Sequence, residues 1–420
     1  MPSPTSDRRA TERKHPWPMV RLGELGTMVR GNGIRRCETT KAGCPCLRYG
    51  EIYTSFDVIL DKPRSFVPKE LFDRSVKIKK GDLVFTLTGE NTEEIAKALA
   101  YLGDDEIAAG GDLAVWTGHG CDSKYLAYLM YSPQLISQKA ATGNGNIVVH
   151  TSIKKLQQLE IPLPPLSVQS EIVARLEREL AAVEKMKKGF EVLAETAKAE
   201  FKAELKEVFE EISCGGAETR RLGEVCELIP GFAFKSIEFG DFSTKVIRIG
   251  NINPPSIDFS DGIGVNKQAY PQEKLSKYVA YEGDCLVAMT GATIGKMGVM
   301  GVGRAYVNQR VLIVRAKSWL DQKYLSALLM SASFRKFTEI NADSKAAQPN
   351  ISAGTIGSYE IPLPPLSAQR EVVARLDGAK AKAEKLEAKA REGVAVCETM
   401  RKAILKEAFE GSIREVESYG

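Results

Sequence analysis

Apolar residues recur with the period of an α-helix in two long stretches of this chain. In the first, apolar positions between residues 172 and 212 span 40 residues in 11 steps, a mean step of 3.6. In the second, those between residues 372 and 408 span 36 residues in 10 steps and give the same mean. Glycines follow both stretches, at Gly215 and Gly411, where helices commonly end. The pattern therefore predicts two long amphipathic helices.

A proline-rich segment, IPLPPL, precedes each helical stretch, at residues 161–166 and 361–366. We expect it to be extended, because proline has no N–H and biases the preceding residue away from helical backbone. Ser167 and Ser367 then stand where N-caps are expected. Three glycines inside the stretches each cost about 1 kcal/mol relative to alanine and allow a kink. They are Gly189, Gly378 and Gly393.

Outside the helical stretches, short runs of Val, Ile, Leu and Tyr are interrupted by Gly, Asn, Asp and Pro. This composition predicts sheet-containing domains with long loops. The segment LRYGEI, residues 47–52, aligns with IRIGNI, residues 247–252, which places Cys46 opposite Val246 on an expected strand. Each half of the chain is therefore predicted to contain a sheet.

The two halves are copies of one unit. Residues 160–176 match residues 360–376 at 14 of 17 positions, whereas unrelated segments would match at about one. The same offset aligns RLGE at residue 21 with RLGE at residue 221, and GDLVFTLTG at residue 81 resembles GDCLVAMTG at residue 283. A period of about 200 residues is too long for a solenoid and indicates a duplicated domain.

The two helices are expected to pair, because a single apolar stripe of this length needs a partner. The first helix leads from one domain to the next, so an antiparallel second helix returns the chain to the first domain. We predict an α+β fold in which two repeated sheet-containing domains are joined by two long antiparallel helices, a coiled-coil spacer with pseudo-twofold symmetry. The predicted parts are a disordered N-terminus 1–16, a first domain 17–166, a first spacer helix 167–212, a second domain 213–366 and a second spacer helix 367–412.

Composition places the chain among soluble proteins. It has 420 residues, 43% hydrophobic and 27% charged, and neither a signal-peptide pattern nor about 18 consecutive apolar residues. We therefore expect a cytoplasmic protein without a membrane partner. The net charge is only +4, but residues 1–166 and 213–366 each carry an excess of three basic residues, while residues 167–212 carry an excess of three acidic ones. This distribution gives weak support to a polyanionic partner of the two domains.

The eight cysteines favour no disulfide framework in a cytoplasmic chain of this size. Cysteine and histidine side chains in the first half could in principle bind zinc, but they contain no CxxC pair and the second half offers nothing comparable. Cys46 also aligns with Val246 within the expected strand, which favours a buried structural role. We therefore predict no metal site. The residues considered are Cys37, Cys44, Cys46, His119 and Cys121.

Two segments resemble catalytic motifs but lack residues that those motifs require. Asn253–Ser256, NPPS, lacks the aromatic residue that would stack on a flipped base in an amino methyltransferase, and a turn is favoured. Gly291–Met297, GATIGKM, is one residue shorter than a phosphate loop and has Met where Ser or Thr would bind magnesium. The three histidines, His15, His119 and His150, form no recognisable triad. We predict no catalytic site.

The chain resembles the specificity subunits of type I restriction-modification enzymes in two features. One is the motif IPLPPLxxQxxIVxxL at the start of each helix, with Val for Ile in the second copy. The other is the strand that follows GD in each domain. The resemblance covers residues 17–410. It implies two target-recognition domains, each reading one half of a split DNA target, and helices that set the unspecified gap. The loops after the shared TG differ, ENTEEI at residues 90–95 against ATIGKM at residues 292–297, which leaves the base contacts open.

The same resemblance implies the partners. They are double-stranded DNA, two methyltransferase (modification) subunits that use S-adenosylmethionine, and restriction (motor-nuclease) subunits that use ATP and magnesium. No cofactor is expected in this chain. Two other interpretations remain: a specificity subunit of a nuclease-free methyltransferase, and a scaffold that joins two domains without binding DNA.

Polar loop residues are the candidates for DNA contact, because Arg, Lys, Asn and Gln bind base edges and phosphates. Lys296 and backbone N–H groups of the loop at residues 291–297 are expected to meet phosphate. In the first domain the candidates are Arg30, Asn32, Arg35, Arg36, Asn91, Asn144, Asn146 and His150. In the second they are Lys235, Thr290, Thr293, Lys296, Arg304, Asn308, Arg310, Lys345, Gln348 and Asn350.

Overall fold

The computed structural model describes residues 17–145, 148–343 and 349–410. The predicted disordered stretch 1–16 and the last two residues of the predicted second helix lie outside these ranges. The chain divides into two compact units, the first containing the residues up to Phe190 and those from Glu392 onward, the second containing Glu191–Arg391.

The first unit combines short strands with one long helix that continues into the second unit. Its strands are β1 (Met19–Arg21), β2 (Thr27–Arg30), β3 (Cys44–Leu47), β4 (Ile59–Leu60), β5 (Ser65–Val67), β6 (Lys77–Ile78), β7 (Leu83–Thr86), β8 (Thr88–Gly89), β9 (Ala98–Tyr101), β10 (Ile107–Ala109), β11 (Leu113–Thr117), β12 (Val149–His150) and β13 (Glu160–Pro162). Its helices are α1 (Leu22–Leu25), α2 (Tyr49–Thr54), α3 (Lys69–Arg74), α4 (Ser123–Leu129), α5 (Pro133–Thr142), α6 (Ile153–Leu156) and α7 (Leu166–Cys214).

The second unit repeats this plan. Its strands are β14 (Thr219–Arg221), β15 (Cys226–Pro230), β16 (Phe239–Ile247), β17 (Ile252–Asn253), β18 (Ser256–Ile257), β19 (Gly264–Val265), β20 (Val279–Tyr281), β21 (Cys285–Ala288), β22 (Met297–Val299), β23 (Arg304–Val307), β24 (Val311–Ala316) and β25 (Glu360–Pro362). Its helices are α8 (Leu222–Val225), α9 (Gln272–Leu275), α10 (Gln322–Met330), α11 (Ala332–Ile340), α12 (Ala353–Gly357) and α13 (Leu366–Glu410).

Equivalent strands form equivalent sheets in the two units. The main sheet has the order β2-β11-β7-β9-β4 in the first unit and β15-β24-β21-β22-β18-β17 in the second. A smaller sheet has the order β5-β3-β10-β6 in the first and β19-β16-β23-β20 in the second. The pairs β1-β13 and β14-β25 close each domain where the chain enters and leaves it. The prediction of two repeated sheet-containing domains with two long helices is confirmed.

The GD dipeptide of each domain makes the turn into a central strand. Gly81 and Gly283 have φ of 94° and 87°, in the left-handed region that favours glycine. Asp82 and Asp284 are buried, and each accepts a hydrogen bond at 2.8 Å from the backbone N–H three residues earlier. The turn therefore satisfies a carboxylate that burial would otherwise destabilise.

A buried glutamine explains the proline-rich motif. Gln169 accepts a hydrogen bond from the backbone N–H of Asp122 at 2.9 Å and donates to the carbonyl of Pro164 at 2.8 Å. Gln369 repeats both contacts, with Asp321 at 2.7 Å and Pro364 at 2.8 Å. Each glutamine thus ties the start of a long helix to its own domain.

Each domain core includes both long helices. In the first unit, the rings of Tyr125 and Phe409 meet edge to face at 5.6 Å, so the C-terminal helix packs on the first domain. In the second unit, Phe209 and Tyr324 make the equivalent contact at 5.5 Å. The predicted return of the second helix to the first domain is therefore observed.

The long helices run antiparallel within each unit. In the first, Arg175 pairs with Glu407 at 2.9 Å and Lys187 with Glu398 at 3.5 Å. In the second, ion pairs join Arg375 to Glu204 and Glu211 and Lys382 to Glu200. Most of the predicted apolar stripe is at least partly buried, but Met186 and Met400 are exposed. The stripe is thus the pairing surface except at these methionines.

The helix N-termini lie two residues before the positions that the predicted N-caps give. Both helices begin at a leucine, Leu166 and Leu366, so the predicted N-cap serines lie inside the first turn. The backbone carbonyls of Pro165 and Pro365 accept the first helical hydrogen bonds at 3.0 Å. Proline can end the extended segment and begin the helix because its fixed φ suits both.

The interior glycine Gly393 is required by packing. A Cβ on this residue would lie 2.5 Å from the ring of Phe190, which therefore packs directly against the helix backbone. Gly189 and Gly378 have no atom within 4 Å of a corresponding Cβ. Of these three glycines, Gly393 is the one whose missing side chain creates a contact.

Candidate nucleic-acid interface

The loops of the first domain that carry candidate residues leave one edge of its main sheet. Arg30, the last residue of β2, pairs with Ala114 of β11, and Thr86, the last of β7, pairs with Leu113. The C-terminal ends of β2 and β7 therefore meet at the beginning of β11. We call this end of the sheet the first loop edge.

Four candidates lie at the end of β2 or in the loop that follows it, at the first loop edge. The Arg30 side chain is 64% exposed, donates to the carbonyl of Gly111 at 2.8 Å and lies 3.4 Å from a carboxylate oxygen of Asp112. The Oδ1 atom of Asn32 accepts from the backbone N–H of Val76 at 2.6 Å. Two further exposed arginines extend the loop, Arg35 and Arg36. The end of β2 and this loop therefore present three guanidinium groups. The hydrogen bond of Asn32 attaches the start of the loop to the backbone of Val76.

The remaining candidates of the first domain follow β7 or pair with that segment. His150 of β12 pairs with Thr88 of β8, and its Nδ1 lies 3.2 Å from the Thr88 hydroxyl. Asn144 forms a backbone bridge with His150. Asn91 is exposed and caps its own turn through hydrogen bonds with Glu94. Asn146 lies outside the described residues.

The second domain has an equivalent edge, which we call the second loop edge. Pro230 at the end of β15 pairs with Leu312, and Ala288 at the end of β21 pairs with Val311. The loops after β15 and β21 and the turn before β24 consequently converge. The described candidates at this edge are Lys235 after β15, Thr293 and Lys296 after β21, Asn308 and Arg310 in the turn before β24, and Asn350, which forms a backbone bridge with Thr290.

Two candidates of the second domain have other settings. Thr290 is buried, 5% exposed, and its carbonyl accepts a hydrogen bond from the Thr293 hydroxyl, so its side chain faces the protein. Arg304 begins β23, opposite Tyr281, three residues before the end of the strand that reaches the second loop edge. Lys345 and Gln348 lie outside the described residues.

Sequence reasoning missed a cleft beside the first loop edge. The expected strand at Cys46 is β3, which ends at Leu47, and α2 begins at Tyr49. Arg48 and Tyr49 line a cleft of about 540 Å³ together with Arg36. The alternating apolar residues of LRYGEI suit a strand and a short helix equally. The repeated arginine, Arg48 and Arg248, was the signal available in the sequence.

A second missed residue is Lys97, which stands where Lys296 stands in the second domain. The backbone carbonyl of Lys97 accepts a hydrogen bond from Thr86, and that of Lys296 accepts one from Ala288, both at 2.9 Å. The loops that precede the two lysines differ in length and sequence, which hides the equivalence in a direct alignment.

Lys139 lies behind the loop that ends at Lys97. It is buried, donates to the carbonyl of Ala96 at 3.2 Å, and burial, with a smaller effect of Lys97, lowers its pKa to about 7. The unfolded chain therefore binds more protons than the folded one between about pH 7 and the unfolded pKa of about 10.4. Stability of the first domain should rise with pH across this window.

We accordingly expect Lys139→Met to flatten the pH dependence of stability. Thermal unfolding midpoints of the wild type should increase between about pH 7 and 9, and those of the variant should increase less. Lys154→Met, which changes an exposed lysine of the same domain, is the control and should keep the wild-type profile. Parallel profiles for wild type and Lys139→Met would contradict the assignment.

Several of the residues considered for metal binding or catalysis have structural settings, whereas His15 lies outside the described residues. Cys46 is buried in β3, and burial raises the pKa of its thiol to about 12. Within the described residues, no three His, Cys, Asp or Glu side chains form a group that could hold a metal ion. NPPS forms the turn between β17 and β18, where Asn253 pairs with Ser256. Residues 291–293 form a short 3-10 turn between β21 and β22.

Among the helices in the described ranges, none combines the length and the apolar composition needed to span a lipid bilayer.

Comparisons with known proteins agree with this architecture. A family model described as the type I restriction modification DNA specificity domain matches residues 14–191 and again residues 215–394. The chain is 23% identical over 375 residues to the type I restriction enzyme EcoKI specificity subunit of Escherichia coli K12, covering 83% of this chain and 78% of that protein. It is 24% identical over 390 residues to the MjaVIII specificity subunit of Methanocaldococcus jannaschii, covering 86% and 85%.

Solved structures show the same fold. A chain from work on complex assembly and conformational transition of the type I restriction-modification system gives a TM-score of 0.72 at 22% identity, covering 94% of this chain and 98% of that one. The HsdS subunit from Thermoanaerobacter tengcongensis gives a TM-score of 0.53 at 22% identity, covering 96% and 99%.

Proposed function

Because the chain belongs to the type I restriction modification DNA specificity family, we propose that it reads a bipartite DNA target, with one half-site read by each domain. The observation that carries this proposal is the pair of loop edges. They are built on equivalent strands, yet they present different polar residues. Two copies of the same strand arrangement that carry different contact residues are suited to reading two different DNA sequences.

The chemistry at the loop edges fits duplex DNA. Exposed guanidinium groups such as that of Arg310 can form two parallel hydrogen bonds with guanine, and amides such as Asn91 can do so with adenine. Lys296 supplies a point charge for phosphate. The isolated chain supplies recognition and no reaction, since specificity subunits of this family are the non-catalytic members of their complexes.

Specificity subunits of type I systems act with DNA and with modification and restriction subunits. For this chain we infer a cytoplasmic complex with two modification subunits, which would use S-adenosylmethionine. Restriction subunits, which would use ATP and magnesium, would join it. The chain itself would bind no cofactor. The duplication supports the number two, because each half offers an equivalent surface.

The long helices are proposed to set the gap between the half-sites. They contain 49 and 45 residues, lengths of about 74 and 68 Å at 1.5 Å per residue. Adjacent turns of duplex lie about 34–36 Å apart, so helices of this length suit half-sites separated by unspecified bases.

A reconstitution experiment tests the division of labour. The purified chain, incubated with duplex DNA and labelled S-adenosylmethionine, should transfer no methyl group, and addition of its modification subunits should give sequence-dependent transfer. Modification subunits without the chain are the control and should not select a target. Methyl transfer by the chain alone, or equal selectivity without the chain, would contradict the proposal.

A further inference from the structure

The internal duplication separates phosphate contacts from base contacts. We propose that Arg48 and Lys97 of the first domain, with their equivalents Arg248 and Lys296 of the second, bind the DNA phosphate backbone without regard to sequence. Residues of the loop edges that the two domains do not share then read the bases. This inference rests on the proposed function, since it presumes that the loop edges bind DNA.

The two arginines occupy the same place in the fold. Each follows a strand of the smaller sheet, β3 or β16, that runs parallel to its neighbour. The carbonyl of the residue before each arginine accepts a hydrogen bond at 2.9 Å, from Gly110 in the first domain and from Asn308 in the second. Gly110 and Asn308 lie just before β11 and β24, so both arginines lie beside their loop edge.

The arginines are held in place yet retain free donor capacity. Arg48 Nε lies 3.7 Å from the Glu51 carboxylate, and an Arg248 terminal nitrogen lies 2.5 Å from that of Asp261. In both residues Nε is buried and the side chains are 24% and 35% exposed, so the terminal nitrogens are the donors that an external phosphate would reach. A guanidinium has five N–H donors, so one carboxylate orients it and leaves donors for a phosphate.

The two lysines stand at the end of loops that otherwise differ. The backbone loop closed by Lys97 spans residues 87–96, whereas the loop closed by Lys296 spans residues 289–295. The residue before each lysine has positive φ, 54° at Ala96 and 74° at Gly295. The fold thus returns the chain to the same position despite three additional residues in the first loop.

Neither lysine is neutralised within its own domain. The Lys97 ammonium lies 5.7 Å from the ring of Tyr53, and over residues 17–145, 148–343 and 349–410 neither lysine forms an ion pair. Other duplicated cations behave differently: Lys124 pairs with Glu177 at 2.6 Å, and Lys323 with Asp377 at 2.9 Å. The cations at the loop edges are therefore available to an external anion, whereas those beside the helices are satisfied internally.

Phosphate is the ligand that both positions can share. Loops as different as ENTEEI and ATIGKM cannot present the same hydrogen-bonding pattern to base edges, so the two domains are expected to read different bases. A cation that is kept at the same place beside both loops must then contact a feature that both half-sites have. That feature is the sugar-phosphate backbone, which positions a protein on DNA without carrying sequence information.

The test is the salt dependence of DNA binding by the complex assembled with modification subunits. The probes are a duplex carrying the motif methylated in cells that express the wild-type chain, and an unrelated duplex of equal length. Arg48→Gln, Lys97→Gln, Arg248→Gln and Lys296→Gln should each weaken binding to both probes and flatten the slope of log K against log salt by about 0.9. The methylated motif should remain unchanged.

Arg310→Ala is the matched control, because the first domain has an aspartate, Asp112, at the position equivalent to Arg310. It should relax one position of one half-site at a cost of about 1–3 kcal/mol, a factor of roughly 5 to 150 in affinity. A changed motif or an unchanged salt slope in the four glutamine variants would overturn the inference. Thermal unfolding verifies their folding. If either arginine variant is unfolded, the lysine variant of the same domain decides for that domain.

The wild type separates the two hypotheses. Wild-type complex that binds neither probe would refute the proposed function itself. If the wild-type complex binds DNA and all four variants keep the wild-type salt slope, only the assignment of these cations to phosphate is refuted.

Discussion

Exchange of residues 17–160 for the corresponding domain of another family member should change one half of the DNA target and leave the other half intact. The first domain has its own sheets, whose core residues include Leu83, Phe85 and Trp116, and its loop edge is formed entirely by its own strands. The base contacts of the second half-site therefore do not depend on it. Methylome sequencing of cells that carry the chimera and the modification subunits measures both half-sites directly.

The reciprocal exchange of residues 217–360 is the control and should change the other half-site. Both chimeras retain Gln169 and Gln369, which attach the domains to the long helices, so loss of assembly is not expected. A chimera that alters both half-sites at once would show that the domains do not read independently. An unaltered motif would show that the exchanged residues do not read the bases.

Insertion of seven residues into both long helices should lengthen the unspecified gap. Suitable positions are directly after Lys187 and directly before Glu398, which pair across the helices at 3.5 Å. Seven residues preserve the apolar phase to within about 20° and add about 10 Å, or roughly three base pairs at 3.4 Å each. Both half-site sequences should stay the same, since no loop edge is changed.

Insertion into α7 alone is the matched control. It shifts the ion pairs and the apolar stripe of one helix against the other, so it should lower stability and methylation instead of moving the gap. If the double insertion folds, assembles and methylates the original target with the original gap at an undiminished rate, then the helices do not determine the spacing. If methylation is lost although assembly persists, the additional rotation of the duplex exceeds what the complex can absorb.

The long helices and their connection to the domains could be predicted because their signals are local or repeated. A mean apolar step of 3.6 fixes the buried face, and the duplicated motif marks both helix starts. The structure adds the reason for the motif, a buried amide that joins Pro164 to Asp122. The exposure of Met186 and Met400 was not predicted. Periodicity predicts which face of a helix is apolar, but it does not predict how completely the partner helix covers that face.

The loop edges were less predictable because they depend on strand pairing between distant segments. Thr290 was predicted to contact DNA from its residue type alone, but its side chain is buried. Arg48 and Lys97 were not nominated, because one stands in an apolar segment and the other follows a loop whose length differs between the domains. Equivalent backbone hydrogen bonds reveal these positions, and such bonds leave no pattern in a single sequence.

The central claim is that this chain supplies a bipartite DNA specificity. Its most direct test is methylome sequencing of cells that express the modification subunits with and without the chain. We expect methylation in one motif of two defined half-sites separated by a fixed number of unspecified bases, present only when the chain is expressed. A continuous motif, or the same motif in cells that lack the chain, would contradict it.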